Sequence, residues 1–486
     1  MSHHAVAGCR WIAKSQIGAS IAAGMPVLYL SIAADGSFWP AWADALVAVK
    51  VRKRPRLSSL SAAANSSSTP PTLPTLGPAP ALRPGLLRWA LPVTLAVQSA
   101  SAASVIAPAV AAPALLAALG LGTAAVGVYI AIVYLGAMAA SLWGAALVQR
   151  WGPIRVSQAG LALSAMGLGL MAVPQVAAAA LGASLLGLGY GPITPASSQM
   201  LARTTPPERY GLVFSIKQTG VPLGGVLAGL LVPPVLLVAG AAAALALVAA
   251  LCLLSLLLAQ GLRSALDSLR VAGGALPGWV QLQQPLRLVR GHPVLRRLAA
   301  CTFVFSLVQL SLGAYLVSFL TTDLGWGLVR AGVALSLAQS AGVAGRIIWG
   351  WVADRWQGGP RLTLLGLAAA MAAAGLLMPL LTAGTPSAWV MLLLAAYGAT
   401  AIGWNGVFLG TVARLVPTSQ AAMATGGCLF FTFFGVVIGP PIFGLAASGF
   451  GRVGPAFALL ALPLAGVLWA LSRGRWAETA SSNAST

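Results

Sequence analysis

The chain has 486 residues, of which 58% are hydrophobic and 7% charged, where a soluble domain carries about a quarter of its residues as charge. Such a composition would present an apolar surface to water, which excludes an ordinary soluble fold. The net charge of +21 does not point to nucleic acid either, because the basic residues are scattered through the gaps between apolar stretches and form no stripe.

In chain order, residues 1–84 come first. The part from Ser58 to Pro84 is rich in Ser, Ala and Pro and reads as disordered. Residues 17–34 are apolar and follow Arg10 and Lys14, which resembles a signal peptide or a thirteenth span. The extension is expected to be a disordered tail or the product of an overlong reading frame. Twelve apolar stretches then follow, at 89–111, 123–145, 156–174, 178–200, 212–232, 236–259, 298–320, 329–352, 362–382, 387–409, 421–445 and 454–473. A helix rises 1.5 Å per residue, so roughly 20 residues cross a bilayer core. Each stretch is about that long.

Basic residues stay on the cytoplasmic side of a membrane. Alternate gaps hold twenty-two of them, from Lys50 through Arg150, Arg155, Arg203, Arg209 and Arg263 to Arg355, Arg361, Arg414 and Arg475, while the other gaps hold only Arg330 and Arg452. This places both ends of the core in the cytoplasm. The longest gap, residues 261–297, is a basic and partly helical connector that divides the core into halves of six spans, 85–260 and 298–475, with a cytoplasmic tail at 476–486. The halves echo one another: A-R-T-T-P-P at 202–207 closes span four and A-R-L-V-P-T at 413–418 closes span ten, while Gln98 and Gln309 sit at similar depths in spans one and seven. The expected fold is all-α and integral to the membrane, with twelve transmembrane helices in two pseudo-symmetric halves.

The most specific motif is G-R-I-I-W-G-W-V-A-D-R at 345–355, at the end of span eight. Gly350, Asp354 and Arg355 resemble the loop signature G-x-x-x-D-R-x-G of the major facilitator superfamily, which occurs between spans two and three and, weaker, between spans eight and nine. The first copy falls at 145–155, A-A-L-V-Q-R-W-G-P-I-R, keeping Arg150, Gly152 and Arg155 but carrying Gln149 in place of the carboxylate. The resemblance covers residues 85–475. It implies a transporter in which this loop latches the outward-open state, with Asp354 against the start of span five near Gly211 and a weaker latch at Gln149. The alternative is that the arginines only anchor topology.

Polar side chains are costly in lipid and face protein or a water-filled cavity. Spans one, four, seven and ten carry Gln98, Tyr190, Thr194, Gln309, Trp404 and Asn405, whereas six, nine and twelve are almost wholly Ala, Leu, Val and Gly. The first set is expected to line a cavity and the second to meet lipid. Two cations lie inside spans: Lys217 in span five and Arg346 in span eight. Lys217 either snorkels to the interface or contacts substrate; Arg346 either pairs within the latch or contacts substrate. Apart from Asp354 at the loop, the spans contain no carboxylate. Buried cations without buried anions favour a substrate that brings negative charge. The G-V-P-L-G-G at 220–225 only approximates the antiporter motif of fifth spans, so that role is not carried over.

The run A-I-G-W-N-G-V-F-L-G at 401–410 is similar to span ten of bacterial members near the cyanate-permease-like group. Trp404 and Asn405 either wall a cavity or serve packing and an interhelical bond. The candidate substrate residues are therefore Gln98, Tyr134, Lys217, Gln309, Gln339, Arg346, Trp404 and Asn405; Tyr134 and Gln339 occupy matching places relative to the two loops. The expectation is a monomer in a bacterial-type inner membrane, a transporter by resemblance, whose buried cations favour a small organic anion or similar metabolite as substrate, with efflux of hydrophobic compounds as the rival. Cys9, Cys252, Cys301 and Cys428 are widely spaced and the histidines lie outside the spans, so no disulfide, metal or cofactor is expected. Without a histidine or a deep carboxylate in the spans, an intramembrane enzyme is not expected.

Overall fold

A computed structural model describes residues 89–122, 124–267, 279–356 and 359–473. The extension 1–84, the tail 476–486 and part of the central connector lie outside the described residues. In hydrocarbon every backbone N–H needs a partner within the chain, and long Ala/Leu/Val runs meet that need as helices. In the first half these are α1 (Ala90–Val110), the short α2 (Ala112–Leu119), α3 (Ala124–Trp151), α4 (Pro153–Met171), α5 (Val176–Thr204), α6 (Tyr210–Gln218) and α7 (Gly220–Gln260). The connector holds α8 (Arg263–Leu266) and α9 (Trp279–Gly291). The second half has α10 (Pro293–Ser318), which runs on through a π-turn at Phe319–Asp323, then α11 (Leu328–Arg355) and α12 (Gly359–Leu377). It ends with α13 (Ser387–Ala401), α14 (Asn405–Arg414), α15 (Ala421–Phe450), α16 (Gly454–Leu459) and α17 (Ala461–Ser472).

Among the described residues, 11 helical segments are long and apolar enough to cross a membrane. One of them, Pro207–Gln260, has 54 residues, or roughly 80 Å at 1.5 Å per residue, more than twice a bilayer core. It reverses at Gly240, where φ is 81° and ψ 176°, a conformation that side chains with a Cβ disfavour. This segment supplies spans five and six, so the crossings among the described residues number twelve. The boundary falls later than the Pro233-Pro234 pair suggests, because a proline only bends a helix whereas the left-handed glycine turns it.

Within the first half α1 lies along α7, and α5 along both α3 and α4. Within the second, α10 packs on α15, α11 on α13, and α12 on α17. The halves meet along two seams: α3 against α15, and α6 against α11 and α14. Large apolar side chains left exposed include Leu253, Leu254, Leu257 and Leu258 on span six, Leu362 and Leu376 on span nine, and Leu462 and Trp469 on span twelve. Met166 adds span three to this outward-facing set.

Candidate functional site

Two interrupted helices build the centre of the molecule. In span five the helix breaks at Thr219, between α6 and α7. Pro222 has no N–H, so the carbonyl four residues earlier, that of Gln218, lacks its helical donor. In span ten the helix breaks at Ile402–Trp404, between α13 and α14. Broken helices at membrane depth occur where they line a cavity or are buried in protein. Arg346 from α11 bridges the two breaks: its Nη1 donates to the Gln218 carbonyl, and its Nε donates to the Ile402 carbonyl at 3.1 Å. Gln218 belongs to one half and Arg346 to the other. The side chain is 3% exposed and makes no pair with Asp354.

Lys217 is 1% exposed. Its Nζ donates to Gln218 Oε1 at 3.0 Å and to Thr194 Oγ1 of α5 at 3.3 Å, so it is held inside and does not snorkel. The Thr194 hydroxyl in turn donates to Gln98 Oε1 of α1 at 3.2 Å. On the far side of Arg346, Asn405 Nδ2 donates to Gln309 Oε1 of α10 at 3.3 Å. Trp404 Nε1 donates to the same oxygen at 3.1 Å. A continuous polar chain thus links spans one, four, five, eight, ten and seven. The sequence-derived residues Gln98, Lys217, Gln309, Arg346, Trp404 and Asn405 all lie on it.

Tyr134 stands apart from this chain. It packs with Tyr190 and Phe433, whose ring centroid lies 6.0 Å from that of Tyr134 and 6.1 Å from that of Tyr190, forming an aromatic wall where α3 and α5 meet α15. Gln339 is half-buried on α11, two turns before Arg346 and roughly 10 Å from it along the axis. Thr194 and Gln218 complete the chain but were not singled out as site residues in the sequence. For Gln218 the available signal was the proline four residues on, which frees its carbonyl.

At the basic end of the bundle, the Asp354 carboxylate accepts the backbone N–H of Gly211 at 2.8 Å and of Leu212 at 2.7 Å, in the first turn of α6. It also receives Arg414 Nη2, and Arg414 Nε donates to the Pro207 carbonyl at 3.0 Å. A carboxylate at a helix N-terminus satisfies orphan donors and meets the positive end of the dipole. Gly350 must lack a side chain here, because a Cβ would lie 2.2 Å from Ser215 Oγ and 2.5 Å from the Gly211 carbonyl. Arg355 stacks over Trp351 at 4.8 Å. In the other copy, Gln149 is exposed and Arg150 closes α3. Gly152 has φ 90° and leaves room for Asp267 of the connector, which accepts the N–H of Ile154 at 2.9 Å and of Arg155 at 3.2 Å. Burial pushes the Asp267 carboxyl above its ordinary value, outweighing those two bonds and the charges of Arg155 and Arg263.

The model of the Major Facilitator Superfamily matches residues 93–440. Two uncharacterized MFS-type transporters of Mycobacterium tuberculosis, from strains CDC 1551 and H37Rv, are each 27% identical over 260 residues. That stretch is 53% of this chain and 56% of theirs, so the chain spans about half the length of the curated relatives it matches. Among solved structures, the transporter FucP in its outward conformation superposes with a TM-score of 0.65 at 17% identity, over 80% of this chain and 99% of that one. The human organic anion transporter MFSD10 gives 0.63 at 16% identity, over 79% and 99%. At these identities the likeness is one of fold.

Proposed function

The chain belongs to the major facilitator superfamily, and from that premise we propose that this multi-pass membrane transporter moves a small organic anion by alternating access. The basic end would face the cytoplasm of a bacterial-type cell, with the protein acting as a monomer in the inner membrane. The observation that carries the anion reading is the pair Lys217 and Arg346, both buried, both bonded to Gln218, and both served only by neutral oxygens. An uncompensated buried charge is strongly unfavourable, and a negatively charged substrate compensates it. Gln98, Thr194, Gln309 and Asn405 supply hydrogen bonds around the charge, and Trp404 with the Tyr134–Tyr190–Phe433 wall encloses the apolar remainder. Gln339 lies along the same helix as Arg346. The relatives do not choose the substrate: the neighbours include a fucose:proton symporter and an organic anion transporter on one fold.

In this reading Asp354, Gly350 and Arg355 form a latch that holds the cytoplasmic end shut in the outward-facing state. Its first copy, Arg150, Gly152 and Arg155, acts at the start of α4 through Asp267 of the connector. A second reading, efflux of hydrophobic compounds, draws on the aromatic wall alone.

A thermal-shift screen of the purified protein separates the two, since a ligand that binds only folded protein at 100 times its Kd adds about 2.7 kcal/mol of stability. Small carboxylates are expected to raise the Tm, and Arg346→Gln to abolish the rise while the variant remains folded. Stabilisation by neutral or lipophilic compounds only, unaffected by Arg346→Gln, would overturn the anion reading in favour of efflux.

A further inference from the structure

Building on the anion reading, we infer that the substrate is a compact dianion, with two negative charges spaced to engage Lys217 and Arg346 together. The charge balance of the site carries this. Lys217 and Arg346 are 1% and 3% exposed. Their acceptors are a threonine hydroxyl, an amide oxygen and two backbone carbonyls, none of which is charged. The described carboxylates are engaged elsewhere. Asp354 holds Gly211, Leu212 and Arg414, Asp267 holds Ile154 and Arg155, and Asp323 holds Val453 and Gly454. Glu208 sits in the short turn before α6, at the basic end. A monoanion would neutralise one cation and leave the other buried without a counter-charge; a dianion neutralises both.

Geometry sets the spacing. Lys217 reaches the side-chain oxygen of Gln218 and Arg346 reaches its backbone oxygen, so the two cations converge on one residue. Two carboxylates separated by one or two carbons, or a single phosphate group, match that convergence. A diacid with a longer chain has more rotatable bonds to immobilise in the same space. The bonds of Arg346 to neutral carbonyls are also weaker than those it would make to a carboxylate or phosphate. A ligand can therefore take over the guanidinium from the Gln218 carbonyl of the opposite half. Lys217 on α6 and Arg346 on α11 then grip one ligand from the two halves. Lys217 is the specificity residue in this scheme: it contributes the second charge and decides between dianion and monoanion.

Binding of acetate, propionate, malonate, succinate, adipate and inorganic phosphate to the purified full-length protein at one pH tests this. Malonate, succinate or phosphate is expected to bind at least about tenfold more tightly than the monoanions and than adipate. Lys217→Gln should remove that preference, weakening the dianion by tenfold or more and leaving the monoanions within about threefold. Lys217→Arg should retain the preference and shows that the glutamine variant fails through charge and not through folding. A preference for phosphate over the diacids would identify a phosphate or its monoester as the source of the charge. Equal binding of mono- and dianions of the same carbon count, with Lys217→Gln affecting both alike, would overturn the dianion assignment and leave anion transport standing. If none of these anions binds while lipophilic compounds do, the proposed function falls as well.

Discussion

At the seam between α6 and α11, Asp354 of one half holds two backbone N–H groups of the other, and Arg414 ties the same carboxylate to Pro207. At the pseudo-equivalent seam between α3 and α15, the corresponding residue is Gln149, exposed at the end of α3. Neutral contacts are among those that close this second seam. Ser141 Oγ donates to the Gly426 carbonyl at 3.3 Å, Val148 and Ala422 share one apolar cluster, and Gly427 lies against the Pro285 carbonyl of α9, where a Cβ would come within 2.6 Å. The carboxylate that the first copy lacks is present nearby, but Asp267 of the connector uses it to cap α4 of the first half. The difference teaches that the duplicated motif divides its work: one copy ties the halves together by charge, and the other holds the connector against the first half. Opening the basic end should then be limited by the Asp354 seam.

The largest expected effect comes from removing that charge. Hydrogen bonds to a charged group contribute about 1.5–3 kcal/mol each, and Arg414 would lose its counter-charge. Asp354→Asn should shift the ratio of closed to open basic end by roughly 100-fold, equivalent to about 3 kcal/mol. Amide hydrogen exchange at Gly211 and Leu212 should accelerate accordingly, and transport should fall more than tenfold with normal membrane insertion. Unchanged exchange at these two amides would remove the basis of the comparison.

A smaller effect is expected from making the two seams alike. The first turn of α15 has no acidic residue and no side-chain cap, and Val148, beside Gln149, shares an apolar cluster with Ala422 of that turn. Gln149→Asp would offer α15 a carboxylate worth about 0.3–1 kcal/mol at an exposed helix terminus. Exchange in the first turn of α15 should slow by up to about fivefold, and turnover should drop as the closed state deepens. If neither changes, the missing carboxylate is not what distinguishes the seams.

Particular residues show how much of this was legible in the sequence. The alternation of apolar runs and basic gaps fixes the number of crossings, because bilayer thickness and charge retention act on composition alone. Asp354 and Gly211 could be paired in advance only through the resemblance, which implies a loop carboxylate latched against the start of span five; the geometry is seen in the structure alone. Six of the eight candidate substrate residues fall on one polar chain because polar groups in apolar spans have few places to go. The partners of Arg346 were not legible. They are backbone carbonyls, which carry no residue identity, exposed by Pro222 in one span and by an interruption at Ile402–Trp404 in another. Asp267 was invisible for a different reason: it meets the N–H of Ile154 across 113 positions of sequence, and no spacing rule connects a residue beyond span six to the start of span three.

Asp267 also supplies the smallest effect. Its bonds to Ile154 and Arg155 resemble those of Asp354 in geometry, but burial raises its carboxyl above the ordinary value of 3.8, so the charged form gains little over a neutral one. Asp267→Asn should change stability at neutral pH by no more than about 1 kcal/mol and leave transport intact, in contrast to Asp354→Asn. The pH dependence follows from the direction of the shift. A carboxyl that binds its proton more readily when folded contributes stability that is fully present below its ordinary value and is lost as pH rises through the raised one. Wild-type Tm should therefore step down across the window just above 3.8, and Asp267→Asn should lack that step. A fall in transport matching that of Asp354→Asn would mean that Asp267 also restrains the movement of the halves, and the division of work between the two copies would not hold.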